Sequence, residues 1–292
     1  MVNAPVFRFA PSPNGWLHLG HAYSALLNAK LADDFDGKLL LRIEDVDHRR
    51  CNPRYITELI EDLRWLGVRW SGAVWRQSQR RSVYAEALET LRDQGLVYQS
   101  FLTRKAIAEI AADANINGKL WPLDPNGVPL CPPSERDLSP SEIETRLKSH
   151  QSFCWRLNMT KAIASFGNVQ TFAESNDSTM QSFHQVALKL HCWGDIVIAR
   201  KDIPTSYHLA VVVDDAAQGV THIVRGLDLF RSTAIHRLLQ KILGLQEPVY
   251  LHHRLILNEH GDKLSKSNND TALRTMRKAG LSPEAIRTLV CP

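Results

Sequence analysis

Apolar and polar positions change period several times along this chain, and each change marks an element. Val6-Phe7-Arg8-Phe9 is a short aromatic and β-branched run, the composition of a buried strand. From Gly20 to Phe35 apolar residues, among them Ala25, Leu26, Ala29 and Ala32, recur at helical spacing. Lys38-Leu39-Leu40-Leu41-Arg42-Ile43 predicts a second buried strand. Asn52-Pro53 then opens a helix whose stripe is Ile56, Leu59, Ile60 and Leu63 and whose stop is Gly67. A further helix follows Ser78, with Val83, Ala87, Leu88 and Leu91 inward and Gly95 at its end. Strand and helix in this alternation predict an α/β protein, with residues 1–100 as the first half of a doubly wound parallel sheet.

The pattern breaks between about Phe101 and Val186, where Pro122, Pro125, Pro132, Pro133 and Pro140 interrupt it and Phe153–Leu157 reads as a strand. An inserted connective domain is expected over 101–186. The parallel sheet is expected to resume over 187–250, with strands at Asp195–Ala199, Tyr207–Val213 and Thr221–Arg225 and a helix from Asp228 to Leu243. Residues 251–292 hold a last strand candidate, Tyr250–Leu257 reaching into them, then a turn at Asn258–Asp262 and closing helices. Only about 25 residues follow Ser267, too few for another domain of ordinary size.

Composition narrows the class without choosing an activity. Apolar residues are 44% and charged residues 23% of the chain, an ordinary globular balance. No run of 18 apolar residues exists, which excludes a helical membrane span. Met1 to Pro5 lacks the features of a secretory signal. The five cysteines (Cys51, Cys131, Cys154, Cys192, Cys291) are scattered, without C-x-x-C spacing, as free thiols in a reducing compartment would be. The cytoplasm is the expected location. A formal net charge of +4 is compatible with a polyanionic partner but does not by itself indicate one.

Chemistry concentrates in Arg8-Phe9-Ala10-Pro11-Ser12-Pro13-Asn14-Gly15-Trp16-Leu17-His18-Leu19-Gly20-His21, where the first strand passes through a Pro/Gly loop into a helix. A helix N-terminus offers free N–H groups and a partial positive charge. Gly20 lets a ring or phosphate approach the backbone, and His18 and His21 can donate to phosphate oxygens. The layout predicts a nucleoside triphosphate at the end of the first strand. By itself, H-x-G-H is equally the cap of a helix in another α/β protein. Lys263-Leu264-Ser265-Lys266-Ser267 is by itself a solvated basic turn.

Together the two motifs resemble the HIGH and KMSKS signatures of class I aminoacyl-tRNA synthetases. Arg8-Phe9-Ala10-Pro11-Ser12-Pro13 and Leu41-Arg42-Ile43-Glu44-Asp45-Val46-Asp47 are similar to the glutamyl/glutaminyl branch, as are Tyr207 to Asp215 and His222 to Asp228. The resemblance implies a Rossmann-type catalytic domain and ATP, carrying Mg²⁺, as the activating nucleotide. It implies His18, His21, Lys263 and Lys266 as catalytic residues, and His18, Gly20, His21 and Lys266 as ATP-binding. Arg8, Ser12, Glu44, Tyr207 and Arg225 carry over as contacts to glutamate, with Arg8 gripping its side-chain carboxylate and Glu44 accepting from its ammonium group. Asp45, Asp47, Asp214 and Asp215 invite a metal reading, but Mg²⁺ commonly arrives on the nucleotide with several waters. No dedicated protein metal site is expected, and capping roles are favoured for these aspartates.

Room for an anticodon-binding domain is lacking. In this the chain is similar to stand-alone paralogues of the branch, which activate glutamate without tRNA. They transfer it to the cyclopentenediol of queuosine at the wobble position of tRNA(Asp). L-glutamate, ATP and queuosine-bearing tRNA(Asp) are thus the expected partners of a monomer. Family members often hold zinc in the insertion through a Cys-x-Cys pair. Here Gln99-Ser100-Phe101 follows Tyr98 and Cys131 stands alone, so no structural zinc is expected and packing around Phe101 and Trp121 would take its place. Three other readings remain: a short paralogue charging a tRNA acceptor end, a non-tRNA ATP-dependent nucleotidyltransferase or ligase, and a non-catalytic RNA-binding relic. The second does not explain the strings at Arg8, Glu44, Tyr207 and Arg225. The third predicts decayed signatures.

Overall fold

The structure, a computed structural model, describes residues 4–47, 49–203, 205–257, 261, 264 and 272–290. Strand β1 (Val6–Phe9) pairs in parallel with β2 (Lys38–Ile43), Arg8 beside Leu40, and helix α1 (Leu19–Asp34) connects them. Helix α2 (Pro53–Trp65) starts where the sequence predicts: the Asn52 side chain accepts from Arg54 N, and Pro53 fills the first position. It leads to β3 (Trp75–Arg76), parallel to β2, and to α3 (Arg81–Asp93).

Next comes β4 (Val97–Ser100), followed by α4 (Arg104–Ile116), an irregular stretch, and α5 (Pro140–Lys148). Strand β5 (Cys154–Leu157) and helix α6 (Met159–Phe166) lead to β6 (Val169–Ser175) and β7 (Phe183–Lys189). After β8 (Val197–Arg200) come α7 (Tyr207–Ala217), β9 (His222–Gly226), α8 (Thr233–Ile242) and β10 (Val249–His253). Helices α9 (Leu273–Lys278) and α10 (Pro283–Val290) follow, and α10 buries Ile286 and Val290 in the core formed by α1, β1 and β2.

β9, β10 and β6 run parallel, with β7 antiparallel along the outer edge of β6. This sheet adjoins β1 through Thr221, whose N–H donates to Val6 O at 3.0 Å and whose hydroxyl accepts from Val6 N at 2.9 Å. Strand order therefore runs outward from the β1–β9 junction in both directions. A crevice at the carboxyl ends of strands at such a junction is where open α/β sheets bind ligands.

Two expectations are corrected. Tyr207–Val213 is the first part of α7, not a strand. Leu209 to Val213 are all buried, so the run carries no periodicity to separate helix from strand; the Ser206 hydroxyl, accepting from Leu209 N, starts the helix. The strand at Val197–Arg200 exists but does not join the parallel sheet. It pairs antiparallel with β5, which pairs antiparallel with β4, in a separate three-stranded sheet.

After β4, Phe101 is buried against Phe153, and half-buried Trp121 donates from Nε1 to Leu130 O at 3.0 Å. A carboxylate also ties these loops together. Oε2 of buried Glu135 accepts from Ser100 Oγ at 2.9 Å, from Leu102 N at 3.0 Å and from Phe101 N, while Oε1 meets Arg146 Nη1 at 3.1 Å. Among the described residues no group of three or more His, Cys, Asp or Glu could hold a metal ion, and no helix is long and apolar enough to cross a membrane.

Candidate active site

His18 is the N-cap of α1, and the two signature histidines cap it reciprocally. Gly20 N–H donates to His18 Nδ1 at 3.2 Å and His18 N–H donates to His21 Nδ1 at 3.3 Å, with the rings 3.9 Å apart. Each Nδ1 being an acceptor, the neutral rings carry their protons on Nε2. The helix-cap reading and the phosphate-donor reading are therefore compatible. One nitrogen of each ring serves the backbone and fixes the tautomer that makes the other a donor.

Arg8 ends β1, Ser12 lies in the loop after it, and Glu44 follows β2, tied to that loop by a 3.1 Å bond from its N–H to Pro11 O. Tyr207 opens α7 and Arg225 lies near the end of β9. Arg8, Ser12, His18, Gly20, His21, Glu44, Tyr207 and Arg225 all line one cavity of about 790 Å³ at the sheet junction. Lys263 and Lys266 lie outside the described residues; Leu264 between them lines the same cavity. A neighbouring cavity of about 510 Å³ shares Ser12, Glu44, Arg50 and Tyr207 with the first and reaches Arg104 and Cys131 of the insertion.

Behind the cavity lies a lattice of buried charge. Asp215 Oδ1 accepts from Arg8 Nε at 3.1 Å and from Arg42 Nη1 at 2.7 Å, and Arg42 Nη2 reaches Glu44 Oε1 at 3.3 Å. Asp214 accepts from Arg80 Nε and Tyr84 Oη, both at 2.7 Å, and from Gln77 Nε2 at 3.1 Å. Burial pushes the Asp215 carboxyl up, but Arg42 and Arg8 outweigh it and hold Asp215 below the usual carboxylate range. For Glu44 burial wins over Arg42 and Arg8, and its pKa is raised. Asp45 takes Arg76 at 2.8 Å and the backbone and hydroxyl of Ser78, both at 2.8 Å, a capping role; Asp47 takes Arg50 at 2.9 Å. The four aspartates therefore face protein donors, and Asp214 and Asp215 anchor arginines rather than cap loops.

Arg225 is held differently. Nε donates to Nε2 of His252 at 3.1 Å, and Nη1 pairs with Nδ1 of His236 at 2.9 Å. Nη2 donates to Thr233 Oγ1 at 2.7 Å and Leu229 O at 3.3 Å. The β9–β10 register sets His252 beside Arg225. Sequence reasoning missed Arg42, His236 and His252, and read Asp215 as a capping aspartate rather than the partner of Arg8 and Arg42. The one available signal was Arg42 itself, a charge inside the otherwise apolar run Leu39–Ile43.

Residues 6–291 match the family of class I tRNA synthetases (E and Q), catalytic domain. The chain belongs to this family. It is 44% identical to a protein named glutamyl-Q tRNA(Asp) synthetase from Rhodobacter capsulatus, over 98% of this chain and 99% of that protein. A protein of the same name from Nitratidesulfovibrio vulgaris is 35% identical, over 94% of this chain and 81% of its own length. A glutamate–tRNA ligase from Hydrogenobaculum sp. is 32% identical over 97% of this chain, which spans 57% of that ligase. Among solved structures, the glutamate-tRNA synthetase of Elizabethkingia anophelis superposes with a TM-score of 0.75 at 26% identity, over 96% of this chain and 54% of that one.

Proposed function

We propose that this protein activates L-glutamate with ATP, without tRNA, and transfers the glutamyl group to the cyclopentenediol of queuosine at the wobble position of tRNA(Asp). The observation that carries the activation step is the meeting, in one cavity, of the paired signature histidines with Arg8, Glu44, Tyr207 and Arg225. The end-to-end match to a protein named glutamyl-Q tRNA(Asp) synthetase supports the choice of acceptor.

In the first step an oxygen of the glutamate α-carboxylate attacks the α-phosphorus, the new P–O bond forms and pyrophosphate leaves. Arg8 and Arg225 take the negative charge of glutamate, Ser12 and Tyr207 line its path, and Glu44 accepts from its ammonium group. Protons on Nε2 of His18 and His21 serve the phosphates, Gly20 lets them approach the helix, and Lys266, with Lys263 secondary, adds positive charge to the same phosphates. Stabilisation of spreading charge by fixed donors supplies the rate, with no covalent nucleophile. Mg²⁺ carried on ATP would supply charge neutralisation to the phosphates. In the second step a queuosine hydroxyl attacks the glutamyl carbonyl carbon, AMP leaves with the electron pair, and the hydroxyl proton passes to solvent. The acceptor approaches through the cavity toward the insertion. The protein acts as a monomer in the cytoplasm.

Glutamate-dependent exchange between pyrophosphate and ATP in the absence of RNA tests the first step. Exchange is expected without tRNA; exchange only when tRNA is added contradicts the reading.

A further inference from the structure

Arg225 is 5% exposed, and four of its five N–H groups are engaged by groups that carry no charge: two imidazole nitrogens, a hydroxyl and a carbonyl. Arg8, which shares the cavity, is by contrast in direct ion pairing with Asp215. Among the described residues no carboxylate reaches the Arg225 guanidinium itself. The nearest one on its relay, Glu174, stands behind His252. His252 N–H donates to Glu174 Oε1 and its Nδ1 meets Oε2, each at 2.8 Å. A proton on Nδ1 toward Glu174 leaves the Nε2 lone pair for Arg225. His236 is set by the same logic: Nδ1 accepts from Arg225, so its Nε2 carries the proton and donates to His208 Nδ1 at 3.1 Å.

We propose that His236 and His252 are positioning residues for Arg225. They fix its guanidinium with neutral acceptors, so that its charge and its remaining Nη1–H stay available to the glutamate. Glu174 acts at one imidazole's remove, locking the His252 tautomer and steadying the buried cation without occupying its hydrogen-bonding face. A carboxylate in the place of either histidine would hold the arginine equally well in space and would compete with the substrate for its charge. Burial keeps both rings neutral, lowering the pKa of each, and Arg225 pushes in the same direction.

The inference rests on Arg225 contacting glutamate, and its test separates the two claims. His236→Asn keeps an acceptor oxygen near the place of Nδ1; His236→Asp puts a charged one there with nearly the same shape. Both lose the His208 contact. In glutamate-dependent pyrophosphate exchange by the full chain, the Asp variant is expected to show a KM for glutamate about tenfold or more above that of the Asn variant. That is the factor for losing one charge-assisted contact. The KM for ATP should be the same in both. Equal KM values for glutamate, or a parallel rise for ATP, would overturn the proposal. If His236→Asp does not fold, Thr233→Asn and Thr233→Asp make the same comparison on the other side of the guanidinium. Absence of glutamate-dependent exchange in the unaltered protein would count against the proposed function itself.

Discussion

Asp215 on α7 and Arg8 on β1 meet at 3.1 Å across the cavity wall, with Arg42 Nη1 on the same carboxylate oxygen at 2.7 Å. This contact joins the first strand to a helix far along the chain and aims Arg8 along the cavity. Asp215→Asn keeps an acceptor but removes the charge between two buried guanidiniums. Loss of one partner from a buried pair costs about 3–5 kcal/mol, and the retained acceptor places Asn at the low end of that range. The thermal unfolding midpoint is expected to fall; an unchanged midpoint would contradict a stabilising role for this buried charge.

Arg8→Gln removes the proposed grip on the substrate carboxylate while keeping donors in place. A charge-assisted bond of about 1.5–3 kcal/mol corresponds to roughly 10- to 100-fold in the KM for glutamate. Discrimination against glutamine should shrink by a similar factor, read as the ratio of kcat/KM for the two amino acids. Unchanged discrimination would remove Arg8 from the specificity argument.

Gly20 has a local reason to be glycine. A Cβ there would lie 3.1 Å from Cε1 and 3.2 Å from Nδ1 of His18, against the ring that caps the helix. Gly20→Ala is expected to displace His18, weaken a cap of about 0.5–2 kcal/mol and raise the KM for ATP several-fold, with glutamate binding by calorimetry unaffected.

Glu135 ties the chain around it to the end of β4 through three donors at Ser100, Phe101 and Leu102. Glu135→Ala would leave the N–H of buried Phe101 and that of half-buried Leu102 without their acceptor, at about 1–3 kcal/mol for the buried one. Faster amide hydrogen exchange confined to β4 and the residues around it is expected, with tRNA-free pyrophosphate exchange retained. Global unfolding would mean this tie supports the whole chain.

Burial lowers the pKa of His208 to about 4 and that of His236 and His252 below the usual histidine range. In the unfolded chain these rings take up protons near pH 6.5, while in the fold they stay neutral to lower pH. The unfolded state therefore binds more protons between about pH 6.5 and 4, and stability should fall as pH drops through that window. Asp62, raised to about 6 by burial, opposes this, since its folded form holds a proton between its ordinary value and 6. Unfolding midpoints measured from pH 7 to 4.5 should decline, more shallowly in His208→Gln.

The sequence exposes what is local and hides what is not. β1, β2 and α2 are legible because a strand-type run or a cap-and-stripe pattern is complete within a few residues. The residues of the loop after β1 and of the strand ends carry their own chemistry, and Arg8, Ser12, His18, Gly20, His21 and Glu44 line one cavity. Tyr207–Val213 was misread because a wholly buried run has no alternation; its helical nature matters, since a helix is what delivers Asp214 to Arg80 and Asp215 to Arg8. Glu135 gave no signal, being one carboxylate whose partners are the end of β4, the two backbone N–H groups after it, and Arg146. Nothing local in the sequence marks His236 or His252, and only the β9–β10 register and the placement of α8 bring them to Arg225. Lys263 and Lys266 stand on sequence alone.

The most direct test of the whole account is transfer of radiolabelled glutamate to tRNA(Asp), with and without queuosine, followed by nuclease mapping. The account predicts label only on the queuosine-bearing tRNA, recovered with the anticodon fragment. Label on the terminal adenosine of tRNA(Glu) would contradict it: the adenylation chemistry would stand, and the protein would charge an acceptor end instead.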